Sequence, residues 1–406
     1  MTDTHLPLTG VRVLELGHYI AAPFCTRVLA DMGADVIKVE PPGKGDPVRS
    51  WGMQIDGRAP WWSVHGRNKQ SMTVNLKHPK AVGLVLDLVR GCEIVVENFR
   101  PGQLEAFGLG PEVLAAARPG IVLVRISGYG QTGPDRNRAS FGVIGEARGG
   151  LRHLCDHPPG VSDLPPVRTG ISLGDSVAGL YGGLGALAAL LRQRSEGGDE
   201  ARIVDVALNE SVFTLLEGAL PEYGLTGDIR QPTGSTLPTN APSNAYRTAD
   251  DVWILIAANS DPLFRRLSKL IGKPDLPDNP DYIDNPSRVA HREMLDSLIS
   301  DWATGMDATT ALDLLEAADI PSTRVATIAD CAADEQFLAR DMVHDVKDPN
   351  FGKTRHPGAV PVFGGVDRKS AVRWPGAAVG EHTDDILKSL GLDDETVRTL
   401  REEKVI

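Results

Sequence analysis

A recurring succession of apolar strand, helix and second strand is what most narrows the folds open to this chain. Residues 10 to 17, Gly-Val-Arg-Val-Leu-Glu-Leu-Gly, have a strand pattern, Ala21 to Met32 a helical one, Gly33-Ala34 a stop, and Asp35 to Val39 a second strand. Strands joined by a helix-length crossover return to the same end of the sheet and so run parallel. The unit recurs with a helix at Lys80 to Arg90 feeding a strand at Glu93 to Glu97, and another at Pro111 to Ala117 feeding Ile121 to Ser127. The pattern predicts an α/β fold, a Rossmann-like, mostly parallel sheet with helices on both faces. Gly- and Pro-rich stretches at 41 to 60, 128 to 138 and 156 to 170 exceed ordinary loop lengths. They are expected around the carboxyl ends of the strands, where open α/β sheets bind ligands.

Beyond a strand at Arg202 to Ala207 and a helix at Asn209 to Ala219, the segment Gly224 to Asn244 is dense in Gly, Pro, Thr and Asn and marks a boundary. A strand or hairpin at Val252 to Ala258 follows, with helices near Pro262 to Leu270, Asn285 to Thr304 and Thr309 to Ala318. The chain closes on short helices at Thr383 to Leu390 and Asp394 to Glu403. The expected division is a large α/β domain over 1–222, a small α+β domain over 223–330, and a segment over 331–406 that returns to the large domain.

Composition removes several function classes. With 54 acidic against 42 basic residues, a formal charge of −12 and no dense basic run, nucleic acid is not expected as a partner. No apolar run approaches the roughly 20 residues that span a bilayer, and Met1-Thr2-Asp3-Thr4-His5 lacks the layout of a secretory signal, so a cytoplasmic protein without membrane partners is expected. Cys25, Cys92, Cys155 and Cys331 have no paired spacing, which fits reduced, buried thiols and neither a disulfide framework nor a metal site.

The stretch Thr169-Gly170-Ile171-Ser172-Leu173-Gly174-Asp175-Ser176-Val177-Ala178-Gly179 places a lone carboxylate among glycines at the mouth of a helix predicted from Ser176 to about Arg194. Asp175 at that N-cap can accept a backbone N–H, or serve as a nucleophile, and the two roles are compatible. Gly170, Gly174, Gly179, Gly182 and Gly183 would let a bulky ligand approach it.

Other signatures are missing. The first turn, Gly17-His18-Tyr19-Ile20-Ala21-Ala22, has one glycine where a dinucleotide fingerprint needs three, and there is no Walker loop, Gly-x-Ser-x-Gly elbow or His-Glu-x-x-His pair. His18 is open to a structural or a ligand-binding role. Arg67-Asn68-Lys69, leading into a strand at Ser71 to Leu76, and Glu97-Asn98-Phe99-Arg100-Pro101-Gly102 both suit an anionic cofactor with an aromatic moiety, or else are a solvated strand end and turn.

Gly-Ala-Asp-Val-Ile-Lys-Val-Glu-Pro-Pro at 33 to 42, Gly66-Arg67-Asn68-Lys69-Gln70-Ser71, Glu-Asn-Phe-Arg-Pro-Gly at 97 to 102, Ser127-Gly128-Tyr129-Gly130-Gln131-Thr132-Gly133-Pro134 and the Gly-Asp of Asp175 together resemble the class III coenzyme A transferases, from about residue 7 to Gly380-Glu381-His382-Thr383-Asp384-Asp385-Ile386-Leu387. The resemblance implies that Asp175 is an acylated nucleophile. It implies that coenzyme A lies along His18, Tyr19, Ile20 and Ala21, near Leu76 and Lys77, and against Asn98, Phe99 and Arg100. It implies further an interlocked homodimer and no metal. A glycine loop is expected to donate N–H groups to the oxyanion, with Gly145, Gly149 and Gly150 as candidates.

Some formyl-CoA transferases of this family carry a Gln where this chain has Ile20, an Arg where it has Pro41, and a tetraglycine loop where it has Gly234-Ser235-Thr236-Leu237-Pro238-Thr239-Asn240, which disfavours oxalate as acceptor. The α-methylacyl-CoA racemase branch uses a His-Asp relay, and Ser140-Phe141-Gly142-Val143 holds neither residue, so racemisation is the runner-up. Similarity of Ser-Phe-Gly-Val-Ile-Gly-Glu at 140 to 146 and of the 234 to 246 loop to dicarboxylate-handling members points to succinyl-CoA as donor and to a C4 or C5 dicarboxylate of the malate, citramalate or itaconate type as acceptor. Arg148, Arg152 and Arg168 are the nearby cations for its second carboxylate.

Overall fold

The computed structural model describes residues 6–406, and residues 1–5, in which no export signal was expected, lie outside the described residues. Two compact units emerge. One comprises the chain up to Arg152, Arg168–Gly227 and Glu335–Ile406, and the other His153–Val167 and Asp228–Asp334.

The first unit is built on six parallel strands, β1 (Arg12–Glu15), β2 (Asp35–Glu40), β3 (Lys69–Thr73), β4 (Ile94–Glu97), β5 (Val122–Ser127) and β6 (Arg202–Ala207), in the order β3-β2-β1-β4-β5-β6. Side chains alternate between two buried layers, as the strand period of two requires. Val13, Ile94, Val96, Val122, Val124 and Ile126 face a core shared with the Ala21–Asp31 and Leu173–Glu196 helices. Leu14, Val95 and Leu123 face the opposite core, with Leu84, Val85 and Leu88 of the Ala81–Arg90 helix and Ile386 and Leu387 of the Thr383–Ser389 helix. Helices therefore cover both faces, as the βα pattern predicts. The order of strands reverses between β1 and β4, which places a crevice at their carboxyl ends.

The Leu173–Glu196 helix starts one turn earlier than periodicity suggests, so Asp175 is in its first turn and not at its N-cap, which is Ser172. A buried group from elsewhere in the chain supplies what a local cap would: Glu146 Oε1 accepts the Gly174 N–H at 3.1 Å. At 24 residues this helix is long and apolar enough to cross a membrane, contrary to the expectation from the sequence. Part of its apolar surface is covered within the chain, where it packs on the Ala21–Asp31 helix and on β5 and β6. Two of the glycines read as ligand room serve that packing: a Cβ at Gly179 would sit 2.8 Å from Ala21 O, and one at Gly182 3.3 Å from Cys25 Sγ.

The second unit has an antiparallel sheet of β7 (Ser243–Arg247), β8 (Trp253–Ala257) and β9 (Ser322–Arg324). Tyr246, Ile254 and Ile256 pack there on Phe264, Leu267, Leu295 and Ile299 of the Asp261–Leu270 and Arg292–Ala303 helices. An antiparallel pair, β10 (Val343–Asp348) and β11 (Gly352–Pro357), belongs to the first unit. All four cysteines are free, and burial raises the Cys25 and Cys92 thiols to about 12.

Glu15, fully buried at the end of β1, receives Lys38 Nζ at 2.6 Å, Lys69 Nζ at 2.9 Å and the Thr26 hydroxyl at 2.6 Å. Burial acts to raise its pKa, and the two ammonium groups overcome that and hold it at about 2. Its stabilising effect is thus present above the ordinary carboxyl value of 4.5 and is lost as pH falls toward 2. Glu15→Gln leaves two lysines buried without that partner and should destabilise the protein by about 3–5 kcal/mol in urea unfolding at pH 7. A loss below about 1 kcal/mol, the scale of an exposed pair, would show the cluster to be energetically idle.

Candidate active site

The carboxyl ends of the strands open onto two adjoining clefts of the first unit, of about 650 and 500 Å³, which share His18, Tyr19, Lys77, Phe99 and Phe107 in their walls. Leu76 lines the larger, and Ala21, Asn98, Arg100 and Asp175 line the smaller. Of the residues expected to hold coenzyme A, Ile20 alone lines neither: its side chain is buried against Val48 and Trp62.

The loop after β1 is fixed from beneath. Asn98 Oδ1 accepts the His18 N–H at 2.9 Å, and Asn98 Nδ2 donates to His18 O at 2.7 Å, which ties β1 to β4 across the reversal in strand order. Tyr19 has φ +65°, a left-handed conformation uncommon outside glycine, and its N–H donates to Asp46 Oδ1 at 3.2 Å. Asp46 is held by Lys38, whose Nζ lies 2.8 Å from Asp46 Oδ2 and 2.9 Å from Gly17 O. Glu97 Oε2 accepts the Phe99 N–H at 2.7 Å; burial raises its carboxyl to about 7 against the pull of Arg125. Burial also lowers the pKa of His18 and so favours neutral imidazole. Rings run along the wall, with centroids of Phe107 and Phe99 5.5 Å apart, Phe99 and His18 5.7 Å, His18 and Tyr19 4.8 Å, and Tyr19 and Phe141 5.9 Å. Such a surface suits a ligand with an aromatic base and an extended chain.

Arg67, Asn68 and Lys69 are not part of it. Arg67 and Asn68 are buried and bind Asp31, at 2.9 Å for both Nε and Nδ2, and Lys69 binds Glu15. The two charges and the amide are used within the fold, which removes these residues as anion ligands.

Asp175 is half-buried and takes no hydrogen bond from the described residues. Burial first, and then the adjacent charge of Glu146, raise its pKa to about 6, while Arg168 opposes the rise. Gly145, Gly149 and Gly150 do not supply free donors. Their N–H groups bond Phe141 O at 3.1 Å, Gly145 O at 2.8 Å and Ala147 O at 3.2 Å. Their missing side chains make room for neighbours instead: a Cβ would come 2.8 Å from Leu208 Cβ, 2.7 Å from Asn209 O and 2.8 Å from Leu216 Cδ1 respectively. The glycine beside the carboxylate is Gly142, where any Cβ would collide with Asp175. Gly142 and Glu146 went unnoticed as site residues because both act through space on a residue about thirty positions away. The one local cue was an acid inside the otherwise apolar run Gly142–Ala147.

A sequence model of CoA-transferase family III matches residues 8–383. The chain belongs to that family. It is 45% identical to a succinyl-CoA–D-citramalate CoA-transferase of Chloroflexus aurantiacus, with 98% of each chain covered. It is 37% identical to the beta subunit of a succinyl-CoA–L-malate CoA-transferase of the same organism, over 100% of this chain and 99% of that one. A crystal structure of a CAIB/BAIF family protein from Brucella suis superposes with a TM-score of 0.83 at 30% identity, covering 95% of this chain and 100% of the other. As a family III member the protein is a CoA-transferase that uses acyl-CoA.

Gly142→Ala tests the approach to the carboxylate without straining the backbone, since Gly142 does not have a positive φ. Displacing the Asp175 carboxylate by about 1 Å should lower kcat for acyl exchange about 10²-fold with the circular dichroism unchanged. Full activity in this variant would show that Asp175 does not react from the position it occupies.

Proposed function

We propose that this protein moves coenzyme A from succinyl-CoA to a C4 or C5 dicarboxylate of the malate, citramalate or itaconate type, with Asp175 as the covalent nucleophile. The observation that carries this reading is the state of Asp175: a carboxylate without a hydrogen-bond partner among the described residues, facing the same cleft as His18, Asn98 and Phe99. The named substrates of the citramalate and malate transferases that the chain resembles support the choice of donor and acceptor.

In this mechanism a carboxylate oxygen of Asp175 attacks the thioester carbonyl of the donor and expels CoA thiolate, leaving a mixed anhydride. The thiolate then attacks the Asp175 carbonyl, which forms an aspartyl-CoA thioester and releases the donor acid. The acceptor carboxylate attacks that thioester in turn, giving a second anhydride and thiolate. Attack of the thiolate on the acceptor's acyl carbon yields the new acyl-CoA and restores Asp175. Every attacking group is already an anion, so the protein's tasks are to orient them and to exclude water.

The nucleophile must be ionised, so its acylation should fall as pH drops through about 6. Mixing the enzyme with succinyl-CoA and then hydroxylamine should leave a hydroxamate on Asp175, detected by mass spectrometry, with a yield that follows that titration. Asp175→Asn should lose at least about 10³-fold in turnover. Turnover persisting in that variant would overturn the assignment.

We also propose that the protein is a homodimer. On the Leu173–Glu196 helix Leu184 is 66% exposed and Leu191 69%, and on the Ala219–Thr226 helix Leu225 is 88% exposed, an unusual density of bare leucine for a lone chain. One relative is a beta subunit, so assembly with a different chain is the competing outcome. Light scattering of the purified protein should give twice the 43.5 kDa chain mass, and a monomer at micromolar concentration would refute the dimer.

A further inference from the structure

The cleft that holds Asp175 is also lined by Arg136 and Arg138, from the loop between β5 and the Gly142–Arg148 helix. The cations singled out from sequence, Arg148, Arg152 and Arg168, do not line it. Arg138 Nη1 lies 3.2 Å from both carboxylate oxygens of Asp135, and Asp135 Oδ2 also receives Arg148 Nη2 at 2.9 Å. Arg136 has no ion pair or hydrogen bond among the described residues. One carboxylate is thus shared by two guanidiniums and Arg136 is left without one, a local positive excess in a chain of net charge −12. The loop ends at Phe141, which lines the cleft beside Gly142, the glycine in contact with Asp175.

Resting on the transferase reading above, we propose that Arg136 and Arg138 select for dicarboxylic acyl groups by binding the carboxylate that does not react, with Asp135 positioning Arg138. In the covalent mechanism the donor acyl and the acceptor acyl are joined in succession to the same carboxylate. They therefore occupy the same volume, and one guanidinium site serves both half-reactions. Succinyl and the C4 or C5 acceptors share a distal anion, and the planar fork of an arginine matches a carboxylate with two parallel N–H donors. Arg136 and Arg138 face a cleft in whose wall Asp175 is the one acid, and acylation removes that negative charge. An acyl group that ends in a methyl is therefore disfavoured as well, because filling the cleft with it would strip water from charges that gain nothing in return.

The test compares succinyl-CoA with butyryl-CoA, which has the same chain length and a methyl in place of the carboxylate, as acyl donors to Asp175. Acylation is read as the hydroxamate in single turnovers of the wild type, Arg136→Gln, Arg138→Gln and the double variant. The double variant should lose about 10- to 100-fold in acylation efficiency with succinyl-CoA, the scale of a charge-assisted hydrogen bond, with butyryl-CoA unchanged or improved. Arg138→Lys, which keeps the charge and loses the fork, should recover part of the preference. Equal losses with both esters, or a preference for succinyl-CoA that survives in the double variant, would overturn the arginine assignment. A wild type that forms no hydroxamate with either ester would instead refute the covalent transferase reading.

Discussion

The buried carboxylate of Glu15 is the interaction on which the rest of the molecule depends. It sits at the carboxyl end of β1 and draws in Lys38 from β2, Lys69 from β3 and Thr26 from the Ala21–Asp31 helix. Three strands and a helix are thereby pinned at the end of the sheet where the cleft opens. From Lys38 the network reaches Gly17 O and Asp46, and Asp46 holds the N–H of Tyr19 in its left-handed conformation. A residue in that region of backbone space costs on the order of 1 kcal/mol or more and persists only where its surroundings over-determine it. A second branch carries the same order outward. Glu40 accepts Arg49 at 2.7 Å and the Ser71 hydroxyl at 2.6 Å, and Ser71 Oγ accepts the Gly380 N–H at 2.8 Å, so the C-terminal segment is fastened to the same strand ends.

The legible part of the fold was the part encoded by short-range periodicity. β4 and β5 alternate toward two cores, and the crossovers are helices, so strand type and direction follow from spacing alone. What escaped was decided by residues far apart in the chain. The Leu173–Glu196 helix could begin early because Glu146, 28 positions upstream, satisfies the Gly174 N–H. Arg67 and Lys69 look like anion ligands until Asp31 and Glu15 are found buried beside them. Ile20 lies among residues that face the cleft, and only the packing of Val48 and Trp62 shows its side chain turned inward.

Glycines illustrate the same limit. A run of them at the mouth of a helix signals close approach, and the sequence does not say of what. Gly179 and Gly182 admit another helix, Gly145 and Gly149 admit the chain at Leu208 and Asn209, and Gly142 leaves room for the carboxylate of Asp175. The three uses are the same in steric terms and differ only in which neighbour arrives. Asp175 stands out in the sequence as a lone acid among glycines at the mouth of an apolar helix, a position that the free N–H groups of the first turn favour whatever its purpose.

Asp175 and Glu15 show how one strand-end region sets two carboxylates to opposite tasks. Both are withdrawn from water, which alone raises a carboxyl pKa. Glu15 has two ammonium groups against it and is held at about 2, so it remains an anion and a structural tie. Asp175 has Glu146 as its charged neighbour, opposed by Arg168, and is raised from 3.8 to about 6. At one pKa unit per 1.36 kcal/mol, that rise corresponds to a folding penalty on the order of 3 kcal/mol at neutral pH, one that disappears only as pH falls below 3.8. The same penalty makes the oxygen more basic while it is still ionised at pH 7, which would serve the nucleophilic role proposed for it. A further rise would leave much of the enzyme protonated, and removing Glu146's influence would lower the pKa only in part, because burial, the larger cause, would remain. Arg168, on the opposing side of that balance, favours the ionised carboxylate.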